Sequence, residues 1–96
     1  MTDGRLLPWP GPEGTPCRLI GDSGWLSRLA DELEETQLDT GERVVSIAGQ
    51  MLADDSVPAP ELRFLARQLT MALTDALRVA ESRGERLPVE DDQDED

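Results

Sequence analysis

The sequence predicts an all-α protein built around a long antiparallel helical hairpin. Two stretches carry apolar residues at spacings of three and four, the pattern of a helix with one buried face. A short segment with two prolines separates them, and a short connection between long amphipathic helices favours an antiparallel pair. We divide the chain into a Pro/Gly-rich arm over residues 1–21, a hairpin domain over residues 22–84 and an acidic tail over residues 85–96.

The arm is predicted to be irregular and extended. Residues 1–16 contain four prolines and three glycines, which disfavour helix and sheet alike. Residues 17–20 (CRLI) are strand-like, and we expect them to find no pairing partner inside the chain. Trp9 is expected to anchor contacts with the helices or with a partner. Cys17 is expected to serve as a small apolar side chain, although the neighbouring Arg18 would favour a reactive thiolate.

The first helix is predicted over residues 24–53, with Asp22 or Ser23 as its N-cap. At about 100° per residue its apolar residues form one stripe, and the phase of that stripe is the same before and after the polar middle. The sequence therefore favours one long helix with Gln37, Thr40 and Gly41 at its centre, and a break near Gly41 is the alternative. The stripe comprises Leu26, Leu29, Ala30, Leu33, Val44, Ile47, Ala48 and Met51.

The second helix is predicted over residues 58–83. Pro58 and Pro60 suit a first turn, and Arg83 followed by Gly84 and Pro88 suits a basic last turn with a left-handed cap. Its apolar stripe comprises Leu62, Leu65, Ala66, Leu69, Ala72, Leu73, Ala76, Leu77 and Ala80. Trp25, at the start of the first helix, is expected to be a packing anchor.

Each helix also carries a second apolar line outside its main stripe. A hairpin needs one stripe per helix, so the second lines predict a further packing partner. The most economical partner is a second copy, which would give a homodimeric four-helix bundle. Cover by the arm and a foreign protein are the alternatives. The interface candidates are therefore Trp9, Leu38, Val45, Leu52, Phe64 and Met71.

The composition restricts the function. The chain has 21 acidic and nine basic residues, a formal net charge of -12, no His and a single Cys. Whole-protein repulsion disfavours direct contact with nucleic acid or an anionic membrane. Most side chains of acid–base, nucleophilic and metal chemistry are missing, so we predict no enzyme, no cofactor and no metal site. The lone Cys, with no signal-peptide pattern and no apolar run of membrane length, favours a cytoplasmic location.

The charged residues form three groups. Arg63, Arg67 and Arg78 share one side of the second helix and could bind carboxylates or phosphate, although a solvated face that balances nearby acids is the simpler interpretation. The acidic tail is expected to be solvated and disordered. The acids of the first helix are interpreted as its ordinary polar face: Asp31, Glu32, Glu34, Glu35, Asp39 and Glu42.

Four segments carry a family resemblance. Residues 8–17 (PWPGPEGTPC), 27–31 (SRLAD), 61–66 (ELRFLA) and 77–84 (LRVAESRG) resemble segments of small uncharacterised actinobacterial α-helical proteins. The resemblance covers most of residues 8–84. It implies a regulatory or accessory role in such bacteria and assigns no activity to any residue.

Two functions fit these features. The first is a non-enzymatic regulatory or adaptor protein that acts through protein–protein contacts of a helical bundle. The alternative is an acidic inhibitor or antitoxin-like protein whose tail and first-helix carboxylates occupy a basic site on a nucleic-acid-binding partner. The two hypotheses differ in the surface they use, which is apolar in one and acidic in the other.

Overall fold

The structure, a computed structural model, describes residues 4–21 and 24–87 and contains two long helices. Helix α1 spans Gly24–Leu52 and helix α2 spans Ala59–Arg86. They pack against each other, so the predicted all-α hairpin is confirmed. The predicted N-cap at residues 22–23 and the acidic residues after position 87 lie outside the described part of the chain.

Helix α1 is continuous. Gly41 and Gly49 both lie within it, and the alternative of a break near Gly41 does not occur. Each glycine costs about 1 kcal/mol relative to alanine in a helix interior. The apolar phase that the two halves share offsets this cost, because each half buries a small residue, Ala30 in one and Ala48 in the other.

The connection between the helices is short and locally ordered. The Asp54 carboxylate accepts hydrogen bonds from the Ser56 hydroxyl at 2.6 Å and from the Ser56 backbone N–H at 2.9 Å. These bonds hold the pKa of Asp54 below its ordinary value. Pro58 is the N-cap of α2, and its carbonyl accepts the backbone N–H groups of Glu61 and Leu62. The chain therefore reverses direction within a few residues.

The predicted end of α2 is wrong. Gly84 is helical rather than a left-handed cap, and the helix continues to Arg86. Contacts with the rest of the chain outweigh the preference of glycine for a terminus, because Arg83, Glu85 and Arg86 all bind residues of α1 or the arm.

The arm folds back on itself, contrary to the prediction of an extended path. Strand β1 (Arg5–Leu6) pairs antiparallel with strand β2 (Arg18–Leu19), so the expectation that residues 17–20 find no partner is wrong. The Leu7 N–H donates to the Cys17 carbonyl at 2.8 Å and extends the ribbon. A short 3₁₀ turn at Pro12–Gly14 reverses the chain between the strands.

The core differs from the predicted stripes. The buried apolar side chains are Leu6, Leu7, Ala30, Ala48, Leu65 and Val79. Leu6 and Leu7 come from the arm, and the Pro8 carbonyl accepts hydrogen bonds from Gln37 of α1 and Arg78 of α2. The arm thus contacts both helices. Several stripe residues predicted to be buried remain exposed: Leu29, Leu33, Ile47, Leu62, Leu73 and Leu77.

Candidate protein-interaction surfaces

A buried carboxylate joins the arm to both helices. The side chain of Glu34 on α1 is only 1% exposed. One of its oxygens accepts from Arg83 Nε and Arg86 Nη2, each at 3.4 Å, and the other accepts from Arg5 Nη2 at 3.3 Å. Arg5 also donates to the Ser27 carbonyl at 3.1 Å and to Asp31 at 2.6 Å. Three guanidinium groups from two other segments therefore converge on one side chain of α1.

Further polar contacts hold the arm on α2. The buried Ser82 hydroxyl donates to the Leu6 carbonyl at 2.9 Å and accepts a hydrogen bond from Arg86. Arg18 of β2 makes a two-pronged pair with Glu85, at 2.9 and 3.2 Å. The hydrogen bonds from Arg18 hold the pKa of the Glu85 carboxyl below its ordinary value. The arm is therefore fixed by ionic contacts as well as by its buried leucines.

This arrangement corrects the interpretation of the α1 acids as a solvated face. Glu34 is buried, and Asp31 and Glu35 are engaged by Arg5 and Arg83. Burial works against the charge of Arg83, but its hydrogen bonds to Glu35 and Glu34 raise the pKa of its guanidinium overall. One sequence signal could have located Glu34, since it follows the fully buried Ala30 by four residues and so lies one helical turn along the same face.

An apolar groove runs along one side of the hairpin. We call this side the groove face; its groove is about 490 Å³ in volume. Gly41, Ala72 and Ala76 are small residues that leave space in the groove, while Val45 and Leu73 remain 64% and 60% exposed. The apolar residues that line the groove are Leu38, Gly41, Val45, Leu69, Ala72, Leu73 and Ala76. Gln37 and Glu42 of α1 supply its polar groups.

A second apolar surface surrounds Phe64, whose side chain is 57% exposed. It contains a smaller hollow of about 130 Å³. We call it the Phe64 face, and it is lined by Val44, Ile47, Met51, Phe64, Leu65 and Gln68. Met71, which follows Phe64 by two helical turns, is exposed as well. These residues lie in the half of the hairpin that contains the connection.

The groove face and the Phe64 face lie on opposite sides of the hairpin. At about 100° per residue, Val45 and Ile47 point roughly 200° apart around α1, and Phe64 and Leu73 point roughly 180° apart around α2. The second apolar lines predicted from the sequence are therefore divided between the two faces. Leu38 and Val45 belong to the groove face, whereas Phe64 belongs to the other. One flat contact with one partner cannot cover both.

The other candidate residues occupy separate places. Trp9 is half-buried within the arm, and Leu52 is exposed at the end of α1. Trp25 is 67% exposed, so its predicted role as a packing anchor is wrong.

The predicted arginine row is not a single site. Arg78 donates to the Pro8 carbonyl at 3.3 Å and to Asp75 at 3.4 Å, which gives it a structural role. Arg63 and Arg67 remain exposed on α2 and line a shallow hollow with Thr70 and Met71.

No protein-family model, curated protein sequence or solved structure matches this chain. Within residues 4–21 and 24–87, no group of three or more His, Cys, Asp or Glu side chains could hold a metal ion. In the same part of the chain, neither helix has the length and apolarity that crossing a membrane requires.

Proposed function

We propose that this chain is a non-enzymatic regulatory or adaptor protein that acts through protein–protein contacts of a helical bundle. The observation that carries the proposal is the presence of two apolar faces on opposite sides of one hairpin. Large exposed apolar patches on a small domain mark sites of association. Two opposed patches allow one chain to hold two proteins at once, which is what an adaptor requires.

One face serves self-association into a homodimeric four-helix bundle, and the other binds a different protein. The proposal keeps the cytoplasmic location and the absence of direct nucleic-acid and membrane contacts that the composition predicts. It also keeps the regulatory or accessory role that the actinobacterial resemblance implies.

The Phe64 face is suited to a foreign partner with an exposed apolar segment. Arg43 lies four residues from Ile47, and Arg67 lies three from Phe64 and four from Met71, so a guanidinium follows each helix beside the apolar residues. Neither arginine forms an ion pair with any described residue. Glu61 lies three residues from Phe64 and Asp75 lies four from Met71, so charges of both signs border the face. The partner is therefore an apolar helix or loop with charged residues beside it.

The acidic-inhibitor alternative receives less support from the contacts. It requires the α1 carboxylates to face a basic partner, whereas Asp31, Glu34 and Glu35 bind arginines of the same chain. An inhibitor of that kind should lose its binding when residues 89–96 are deleted, and its binding should fall steeply with salt.

The test is affinity capture from the native host's lysate, read by mass spectrometry, with the wild-type chain and two single variants as baits. Phe64→Asp should lose a stoichiometric partner, because a carboxylate replaces the apolar contact. Val45→Asp, on the opposite face, should retain it. Equal capture by wild type and Phe64→Asp would rule out the Phe64 face, and loss on deletion of residues 89–96 alone would favour the inhibitor.

A further inference from the structure

We infer that the groove face binds a small organic cation, an ammonium group on an apolar body about 12 Å long. The inference goes beyond the proposed function, because binding of such a ligand does not depend on whether either face also binds a protein. A protein that docks on the groove face would compete with the ligand. Three features of the groove support the inference: its size, its polar groups and the charge around it.

The groove has the dimensions of a small-molecule site. Its volume of about 490 Å³ lies within the range of ligand pockets. Its residues on α1 run from Gln37 to Val45, which is about 12 Å at 1.5 Å per residue. Apart from the adjacent residues and helix backbone, no atom lies within 4 Å of the position that a Cβ of Gly41 would occupy. An apolar chain can therefore lie along this open point and cover apolar side chains of both helices.

The polar residues that line the groove are Gln37 and Glu42, and both present acceptors. The amide nitrogen of Gln37 donates to the Pro8 carbonyl at 2.8 Å, which fixes the orientation of the amide. The amide oxygen is buried and accepts a hydrogen bond from no described residue. The Glu42 carboxylate is exposed and forms no ion pair with any described residue. The complementary group on a ligand is therefore a hydrogen-bond donor.

The charge around the groove selects a cation. Glu42 is the only charged residue among the described residues that line it. Arg43, the next residue, points roughly 160° away from Val45 around α1 and so away from the groove. Arg78 of α2 lies outside the lining and is paired with Asp75 at 3.4 Å. An ammonium group beside Glu42 is also attracted by the net charge of -12, whereas a ligand carboxylate or phosphate would be repelled.

The experiment is to follow the amide NMR spectrum of the isotope-labelled full chain while decylammonium is added below the concentration at which it forms micelles. Chemical-shift changes should centre on the groove, at Gly41, Val45 and Ala72, and should be small at Phe64 and Met71. Decanoate, which has the same chain length and the opposite charge, is the matched control ligand. It should bind more weakly by a factor of about 10 or more.

A substitution without charge tests the location of the site. Gly41→Leu places a side chain at the open point of the groove, and replacing a helical glycine favours the helix, so the variant should stay folded. Its affinity for decylammonium should fall by a factor of about 10 or more, because the side chain occupies the space of the ligand. Gly84→Leu puts the same side chain at a helical glycine outside the groove, also with open space around it, and should bind like the wild type.

A change of charge tests the role of Glu42. Glu42→Gln should weaken decylammonium binding by a factor of about two to five, the range expected for an exposed ion pair. Glu32→Gln removes the same charge from an exposed residue of α1 that does not line the groove, and it should leave the affinity unchanged. Equal losses in the two variants would show that the overall negative charge, and not the groove, attracts the cation.

The inference is overturned if the spectrum does not change, or if the changes lie at the Phe64 face or in residues 88–96. Equal binding of decanoate, or full binding by Gly41→Leu, would also overturn it. None of these results alters the capture of a foreign protein by the Phe64 face, which is measured separately. Failure of the ligand site and failure of the adaptor function are therefore distinguishable.

Discussion

Glu34 controls the open end of the hairpin through its charge. Its carboxylate accepts hydrogen bonds from Arg5, Arg83 and Arg86, which belong to the arm and to the last turn of α2. Moving a carboxylate out of water costs several kcal/mol, and only the combined attraction of several cations offsets that cost. The cluster therefore adds little net stability compared with an apolar core. Its effect is to specify how the three segments meet.

Glu34→Gln should destabilise the protein strongly. The substitution keeps the shape of the side chain but leaves three guanidinium groups without the carboxylate they surround, and breaking such a buried cluster costs about 3 kcal/mol. Urea unfolding followed by circular dichroism measures the loss. The matched control is Glu35→Gln, because Glu35 is largely exposed and bonds Arg83 alone, so its loss should stay below about 1 kcal/mol. Equal losses of unfolding free energy at the two positions would show that the buried ion pairs of Glu34 are no more important for stability than the exposed pair of Glu35.

At the scale of elements, the ribbon of the arm and the last turn of α2 depend on each other. Arg18 lies on β2 and binds Glu85 near the end of α2, while Arg5 on β1 reaches α1. The helix continues past Gly84 where these contacts hold it. The ends of the elements are thus determined by partners that lie far away in sequence.

The Arg18–Glu85 pair should make the stability of this junction depend on pH. Hydrogen bonding from Arg18 lowers the pKa of Glu85 in the folded state. The ion pair therefore contributes fully to the unfolding free energy above the ordinary carboxyl pKa of about 4.5. This contribution is lost as the pH falls through the lower pKa of the folded state. The difference in unfolding free energy between wild type and Glu85→Gln should therefore be constant from neutral pH down to about pH 5 and shrink below it. Paired urea titrations at several pH values provide the measurement. A difference that grows on acidification would contradict the ion pair.

The sequence predicts the helices well and the arm poorly, for physical reasons. Helix periodicity and the proline-rich connection are local signals, and they place α1 and α2 within three residues of their observed ends. Strands of two residues have no period to detect. The partners of Glu34 lie 29, 49 and 52 positions away in sequence, so no local pattern reveals them.

The candidate surfaces were predictable in part. The second apolar lines follow from spacing alone, and Leu38, Val45 and Phe64 are all on exposed or half-exposed surfaces of the hairpin. Whether these residues lie on the groove face or on the Phe64 face depends on which side of α1 packs against α2. That side is set partly by the arm, which contacts both helices through the Pro8 carbonyl. Sequence periodicity contains no information about this third segment.

At the scale of the whole molecule, the arm is part of the core rather than an appendage. The described chain extends over 51 × 39 × 22 Å, an elongated shape with a high surface for its volume. Of its six buried apolar side chains, Leu6 and Leu7 belong to the arm. The two helices alone would bury very little, which explains why so many of their leucines remain exposed.

Leu7→Ala should therefore destabilise the entire fold rather than loosen the arm alone. Leu7 is 3% exposed, and truncating a buried leucine costs about 3 kcal/mol through lost burial and the cavity left behind. Because the helices share this core, the loss should appear in the unfolding of the helices, monitored by far-ultraviolet circular dichroism in urea.

Ile20→Ala is the matched control: Ile20 belongs to the same arm but is 71% exposed, so its effect should stay within about 0.5 kcal/mol. If Leu7→Ala left the helical transition at the wild-type urea concentration, the hairpin would be stable without the arm. The exposed stripe leucines would then need a cover other than the arm.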